Sequence, residues 1–350
     1  MAHTSAEVKQ RRVAYWLLLG VFMIIVQIII GGITRLTGSG LSITEWKPIM
    51  GTLPPLNEEQ WMDAFNKYKG IAQFKYENSH FTLHDFKFIF FWEWFHRLWA
   101  RSLGVVFAIP FIYFIVKKYF TKSMIGPLIF LFVLGGLQGL VGWIMVQSGL
   151  NDTDTRVSHI RLTIHFMAAL ILLIYTFWFA LKLIVPERFK VKNNALKNFT
   201  IATLGVLTLQ LIYGGFMAGL RGATYAPTWP SINGNFAPPT LAQQSWINEP
   251  LNIHFIHRGL AYILILLLLI LFFKIRKECK DAASIHLKKA AVWPLFFVIL
   301  QVVLGIFTVL SALHIEIGHF GVFETMAELH QIVAIFLLMS LVYPFYLLKE

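Results

Sequence analysis

Residues 134–150, LGGLQGLVGWIMVQSGL, return in altered form at 297–313 as FVILQVVLGIFTVLSAL. Gln138 aligns with Gln301, Gly142 with Gly305 and Ser148 with Ser311, and nearly everything between them is apolar. Two further matches keep the same order along the chain. VQIIIGGITRL (26–36) pairs with LQLIYGGFMAG (209–219), which sets Gln27 against Gln210 and the Gly31-Gly32 step against Gly214-Gly215. Glu93-x-x-His96-Arg97 pairs with His254-x-x-His257-Arg258. Three matches in one order mean that the chain is a duplication. The matched stretches lie in long apolar runs, so the duplicated unit is a set of membrane-spanning helices.

Composition agrees with this. Of 350 residues, 57% are hydrophobic and 14% charged, against roughly 25% charge in a soluble domain; the mean hydropathy is +0.64. Eight spans are expected, at about 13–31, 88–116, 125–146, 158–181, 199–220, 252–273, 290–311 and 325–347, each near the ~20 residues that cross a bilayer core. Pro110, Pro127, Pro294 and Pro344 fall inside them, which bundled membrane helices tolerate. Four spans per repeat is an even number, so the halves share an orientation and are related by an axis along the membrane normal. The expected fold is all-α and integral to the membrane: eight transmembrane helices as two parallel-repeat four-helix bundles, one over 1–190 and one over 191–350. The glycines of the repeat read as positions where helix backbones approach closely.

The net charge of +12 is not a nucleic-acid footprint, because the basic residues gather in alternate loops. One loop holds Lys117, Lys118 and Lys122; the next Lys182, Arg188, Lys190, Lys192 and Lys197; the third Lys274, Arg276, Lys277, Lys280, Lys288 and Lys289. The positive-inside rule puts these loops and both termini in the cytoplasm. Lys9, Arg11 and Arg12 precede an apolar run, Val13–Ile30, too long for a signal-peptide core and without a small-x-small cleavage site, so it reads as a retained span. No Arg- and Ser-rich presequence precedes it, which favours a bacterial plasma membrane. The lone cysteine, Cys279, excludes an internal disulfide and c-type haem attachment. In the long first outer loop, 32–87, Asn57-x-x-Gln60 reads as a capping box that opens a short helix. Trp61, Met62, Phe65 and Tyr68 then share a face. That face suits a helix lying at the membrane interface over the outer end of the bundle, or one packed on the loop's own core.

Four histidines, His96, His165, His257 and His330, fall in spans two, four, six and eight, all running from outside to inside. Each lies two to three turns from its helix start, roughly 10–15 Å at about 1.5 Å per residue, so all four share a depth toward the outer side. Their spacing pairs His96 with His165 and His257 with His330. Intramembrane ionisable residues are costly and mark function, and four at duplicated positions are poorly explained by ordinary interhelical hydrogen bonds. A zinc-type site would recruit carboxylates or thiols; two imidazoles on neighbouring helices suit axial ligation of haem iron. Arg97 and Arg258 each follow a histidine and Arg161 precedes His165 by one turn. Their guanidinium groups can grip carboxylates such as haem propionates, or lipid headgroups or backbone carbonyls. Glu93 stands where the second half has His254, on the same helical face as His96. It can move a proton or stabilise positive charge beside one pair only, or pair with Arg97 or Arg101. That inequality argues against a di-haem electron-transfer cytochrome, quinone-linked or not; a non-catalytic haem carrier or assembly factor stays open beside an enzyme.

Through GGITRLTGSGLSITEWKPIMGTLPP (31–55), FTLHDFKFIFFWEWFHRLWAR (81–101) and LQGLVGWIMVQSGL (137–150), the sequence resembles the haem A synthase family, in its proteobacterial and mitochondrial-type branch, over nearly its whole length. The resemblance implies an oxidoreductase that converts the C8 methyl group of haem O to the formyl group of haem A by successive hydroxylations and loss of water. It implies that His257 and His330 are axial ligands of a resident haem b (iron-protoporphyrin IX), with Arg258 beside them. His96 and His165, with Arg97, would hold the substrate haem O, and Glu93 is similar to the family's essential glutamate. It further implies contact with haem O synthase and an electron donor in a lipid bilayer, is compatible with a homo-oligomer, and leaves no place for nucleic acid. Two features depart from the family: the first outer loop lacks the cysteine pair of the Bacillus-type branch, which excludes a thiol-based step there, and YAPTWPSINGNFAPP (225–239), with His254 after it, follows the pattern only loosely.

Overall fold

The computed structural model describes residues 5–45, 50–278, 285–315 and 320–349; Cys279 and Lys280, used in the sequence reading, lie outside them. Among the described residues, eight helical stretches are long and apolar enough to cross a membrane, as expected. In chain order the helices are α1 (Ser5–Leu36), α2 (Glu58–Lys69), α3 (Ala72–Tyr76), α4 (Leu83–Val116), α5 (Lys122–Gln147), α6 (His159–Ile184), α7 (Asn194–Gly219), α8 (Pro250–Glu278), α9 (Ile285–Ala290), α10 (Val292–Leu310) and α11 (Val322–Leu347). Helices α9 and α10 together form the seventh span. They part where a proline dictates: Pro294 has no N–H for the Ala290 carbonyl and its ring clashes with that carbonyl, so α9 ends at Ala290. Isoleucine, phenylalanine and leucine along α4 and α5 remain largely exposed, Ile109, Ile112, Phe132 and Val133 among them. An apolar surface of that extent suits lipid and not water. The chain is a multi-pass membrane protein.

Two compact units make up the described residues. One comprises Leu19–Leu173 with Ile315–Glu324, the other Met1–Leu18 with Ile174–His314 and Thr325–Glu350. In the first, α1 is tied to α4 by the Trp99 indole N–H donating to the Met23 carbonyl at 2.9 Å and by the Thr34 hydroxyl donating to the Trp92 carbonyl at 3.2 Å. Helix α4 begins well before the expected position 88. A full capping box starts it: the Thr82 hydroxyl accepts from Asp85 N, and the Asp85 carboxylate accepts from Thr82 N at 2.8 Å. In the second unit α7 and α10 pack on α8. A two-residue parallel pairing of Val191–Lys192 with Leu348–Lys349 joins the segment before α7 to the end of α11.

The outer loop of the first unit has a core of its own. Asn57 caps α2 by accepting from Gln60 N at 2.9 Å, while the Gln60 side chain accepts from Leu56 N, one residue before the cap. Phe65 and Tyr68 stack on Phe86 at centroid distances of 5.1 and 5.3 Å, and Trp61 meets Phe90 edge-on at 5.0 Å. The apolar face of α2 is thus spent on the outer turns of α4; Met62, expected to share it, is exposed. Buried Tyr68 receives a hydrogen bond from the Asn78 amide at 2.8 Å and donates to Gln73 at 3.0 Å. Burial raises its pKa above the usual tyrosine value, the Asn78 bond opposing. The Gln73 amide donates onward to the Gly38 carbonyl at 3.1 Å, which fastens this core to the turn that follows α1. Phe86→Ala should therefore cost about 3–5 kcal/mol, and local unfolding should show as protease cleavage within 58–78 while the circular dichroism of the spanning helices is unchanged.

Candidate functional site

Each of the four histidines meets a glycine on the spanning helix that precedes its own. A Cβ at Gly31 would stand 3.1 Å from His96 Nε2, at Gly142 2.7 Å from His165 Cε1, at Gly214 3.3 Å from His257 Cε1 and at Gly305 3.0 Å from His330 Cε1. By contrast, Gly135, Gly136 and Gly139 in α5 have nothing within 4 Å of that point. The four repeat glycines, expected to bring backbones together, instead make room for imidazole rings.

One turn before each glycine stands a glutamine, and i to i+4 spacing puts both on one face. The motif is Gln27-x-x-x-Gly31, Gln138-x-x-x-Gly142, Gln210-x-x-x-Gly214 and Gln301-x-x-x-Gly305. Every one of these glutamines reaches the histidine opposite. The Gln27 amide donates to the His96 carbonyl at 3.2 Å. The Gln138 amide donates to the His165 carbonyl at 2.9 Å and lies 3.2 Å from His165 Nδ1. Gln210 Nε2 lies 3.4 Å from His257 Nε2. Gln301 Nε2 lies 3.2 Å from His330 Nε2, and the Gln301 carbonyl accepts from His330 Nδ1 at 3.0 Å. Sequence reasoning used these glutamines only as markers of the duplication. The signal was present, since the motif recurs in every odd span and not merely twice.

The histidines pair within units. The His257 and His330 rings face one another at a centroid distance of 6.4 Å, inclined by 71°. That separation is about two imidazole–metal bonds of roughly 2 Å each plus the two ring radii. His96 and His165 both belong to the other unit. Imidazoles on neighbouring spanning helices, each seated against a glycine, are a donor set of the type that takes the axial positions of a haem iron.

The equivalent positions one turn earlier in α4 and α8 differ. Glu93, buried, accepts from the Arg97 guanidinium at 2.6 Å, from the Ser42 hydroxyl at 2.8 Å and from Ile43 N at 2.8 Å. Arg97 also donates to the carbonyls of Ile43 and Glu45. His254, buried in Glu93's place, has both ring nitrogens without a hydrogen-bond partner among the described residues. Arg258 donates instead to the carbonyls of Thr228 at 2.6 Å, Ser231 at 3.1 Å, Pro230 at 3.3 Å and Ala226 at 3.5 Å. Both arginines, read in the sequence as groups for propionate, lipid or carbonyl, clamp backbone carbonyls of the loop that precedes their own helix. Arg161 likewise donates to the Ile144 carbonyl at 3.0 Å. Sequence reasoning also passed over Glu324 and Glu328, both buried near the start of α11; Glu324 accepts from Gly321 N at 3.0 Å.

Spanning helices that carry four glycine-seated histidines, two of them face to face, suit a membrane-embedded haem-type protein. Residues 14–342 match the family described as cytochrome oxidase assembly protein, COX15-CtaA, and the chain belongs to that family. Among its relatives are proteins named heme A synthase. Those of Flavobacterium johnsoniae (39% identical, covering 98% of this chain and 99% of the relative) and Flavobacterium psychrophilum (39%, covering 95% and 97%) are similar nearly end to end. The heme A synthase of Bradyrhizobium diazoefficiens is 40% identical, covering 93% of this chain and 88% of the relative.

The two arginine clamps should fail differently. Arg97→Ala strands a buried carboxylate, a loss of about 3–5 kcal/mol, whereas Arg258→Ala only releases loop carbonyls that water can then serve. Thermal unfolding should accordingly show the larger drop for Arg97→Ala, while Arg258→Ala mainly exposes 226–231 to protease; equal drops would contradict the buried ion pair.

Proposed function

We propose that this chain oxidises the C8 methyl group of haem O to the formyl group of haem A. The carbon passes from –CH3 to –CH2OH and then to –CH(OH)2, each hydroxyl oxygen coming from water or from dioxygen, and the diol loses water to give –CHO; four electrons leave the carbon in all, with the C–H hydrogens released as protons. The observation that carries this reading is the facing His257–His330 pair at 6.4 Å, with His96 and His165 seated likewise, in a chain of the cytochrome oxidase assembly family whose full-length relatives are named heme A synthase. It is an oxidoreductase and not a simple electron carrier.

His257 and His330 hold a resident haem b, which supplies one-electron redox capacity when bound. His96 and His165 hold the substrate haem O. Arg97 and Arg258 offer positive charge to haem carboxylates while they keep the outer loops in place. Glu93 is the catalytic carboxylate. Three donors converge on it, the arrangement that suits an ionised, acceptor-only group. Its oxygens can therefore take a proton from the reacting methyl carbon or stabilise positive charge that develops there. The second half, with His254 in that place, lacks this group, which makes the N-terminal pair the reacting one.

The halves run over 1–190 and 191–350, in a bacterial plasma membrane with both termini cytoplasmic and the histidines toward the outer side. Haem O synthase delivers the substrate and a separate donor or acceptor exchanges electrons. Co-expression with a haem O synthase in a host lacking haem A, followed by extraction of the haems, tests the activity: hydroxylated or formyl haem is expected, and unchanged haem O would contradict it. Glu93→Ala should abolish product and leave the C-terminal haem b in place. Gly142→Ala, whose Cβ would stand 2.7 Å from the His165 ring, should reduce the substrate haem that co-purifies, while Gly139→Ala in the same helix should not.

A further inference from the structure

Residues 222–248, in the connection from α7 to α8, contain no charged side chain. The connection from α1 to α4 is the opposite, with Glu58, Glu59, Asp63, Lys67, Lys69 and Lys75 among its residues. The uncharged connection nevertheless exposes Tyr225, Trp229, Phe236, Trp246 and Ile247, Phe236 at 92%. In water, a neutral segment with that much exposed apolar surface is an aggregation liability. Tryptophan and tyrosine gather instead where lipid headgroups meet acyl chains.

The segment does not stand above the helix it leads into but lies along its flank. Arg258, two turns inside α8, takes the carbonyls of Ala226, Thr228, Pro230 and Ser231. Phe236 meets Phe255 edge-on at a centroid distance of 6.4 Å. Helical spacing puts Phe255 on one stripe with Tyr262, Leu266 and Phe273, and those three are exposed. An exposed apolar stripe on a spanning helix suits lipid, and Phe236 continues it onto the loop. Lys274, Arg276 and Lys277 mark where α8 leaves the hydrocarbon at its other end, since charge inside it is costly. From Lys274 back to Arg258 is about 24 Å at about 1.5 Å per residue, against a core about 30 Å thick. The clamped carbonyls therefore lie close to the bilayer boundary. Non-helical backbone at that depth needs its polar groups served by the protein, and this segment carries such bonds beyond those of Arg258. The Asn233 amide donates to the Tyr225 carbonyl at 2.8 Å, the Asn252 amide to the carbonyls of Thr240 at 3.1 Å and Ser245 at 3.3 Å, and the Trp246 indole to the Leu241 carbonyl at 3.0 Å.

We propose that residues 222–248 lie in the membrane interface at the N-terminal end of α8, with Phe236 and Trp246 among the lipid headgroups and first acyl carbons. The connection is then a lipid-binding surface and not a water-exposed link. Amphipathic surfaces of this kind bind through buried apolar area, and an uncharged one does so without regard to headgroup charge. Neither the surface nor its occupant depends on the reaction assigned above.

Full-length protein carrying Cys279→Ser, which removes its single native thiol, is labelled through Phe236→Cys with the fluorophore NBD and reconstituted in phosphatidylcholine nanodiscs. Lipid brominated near the glycerol end of its acyl chains should quench the label. Lipid brominated near the chain ends should quench it less, and aqueous iodide should leave it bright. Tyr76→Cys, exposed in the charged connection, should behave the opposite way, quenched by iodide and untouched by bromine. Trp246→Cys carries the same expectation as Phe236→Cys and decides the matter if that variant does not fold. Iodide quenching of the loop label as strong as at Tyr76→Cys would put the segment in water. Quenching by neither agent would mean that protein, such as a second copy of this chain, covers it; either result overturns the proposal.

Discussion

An imidazole ring seated against a helix at the point where that helix has no side chain is the contact on which the site depends. Without Gly31, Gly142, Gly214 and Gly305, a Cβ would stand 2.7–3.3 Å from a ring atom at every one of the four histidines. Packed helices have little slack at that range, so the ring would turn or the helices would part. The seat fixes each ring's orientation, and the glutamine one turn earlier adds a hydrogen bond to the same histidine. The recurring element is therefore smaller than the duplicated half. It is a helix carrying Gln-x-x-x-Gly followed by a spanning helix carrying histidine, and it occurs four times.

The four seats are not equal. One turn before His96, a carboxylate is held by a guanidinium, a hydroxyl and a backbone amide; one turn before His257, the same place holds an imidazole without a hydrogen-bond partner among the described residues. The segment that follows α1 is thereby tied to Glu93 through Ser42 and Ile43. It is held from the outer side by the Gln73 bond to Gly38. The aromatic core around Phe86 thus does more than close a loop: through Tyr68 and Gln73 it steadies the backbone that hydrogen-bonds Glu93.

Much of this was legible in the sequence because it rests on periodicity. The eight spans follow from apolar runs, and the four glycine-seated histidines are those that the repeats singled out. What was not legible depends on a partner far along the chain. Arg97 and Arg258 have identical local contexts whether they face a propionate or a carbonyl, and only the path of the outer loops shows that residues 43–45 and 226–231 reach them. The early start of α4 escaped notice because its capping box uses Asp85 where glutamate or glutamine is the usual sign. Met62 failed to join the face of α2 because the aromatic rings of α4 cover only the side occupied by Trp61, Phe65 and Tyr68. The break at Ala290 was implied by Pro294, but a tolerated kink and a full interruption read alike in one sequence.

The central claim is that the four histidines act as two pairs, each within its own half. Low-spin electron paramagnetic resonance of haem-loaded protein carrying His96→Ala, His165→Ala, His257→Ala or His330→Ala measures this directly. The account expects two bis-histidine signals, one erased by either of the first two substitutions and the other by either of the last two. A signal lost jointly to one substitution from each half, such as His96→Ala and His257→Ala, would contradict it.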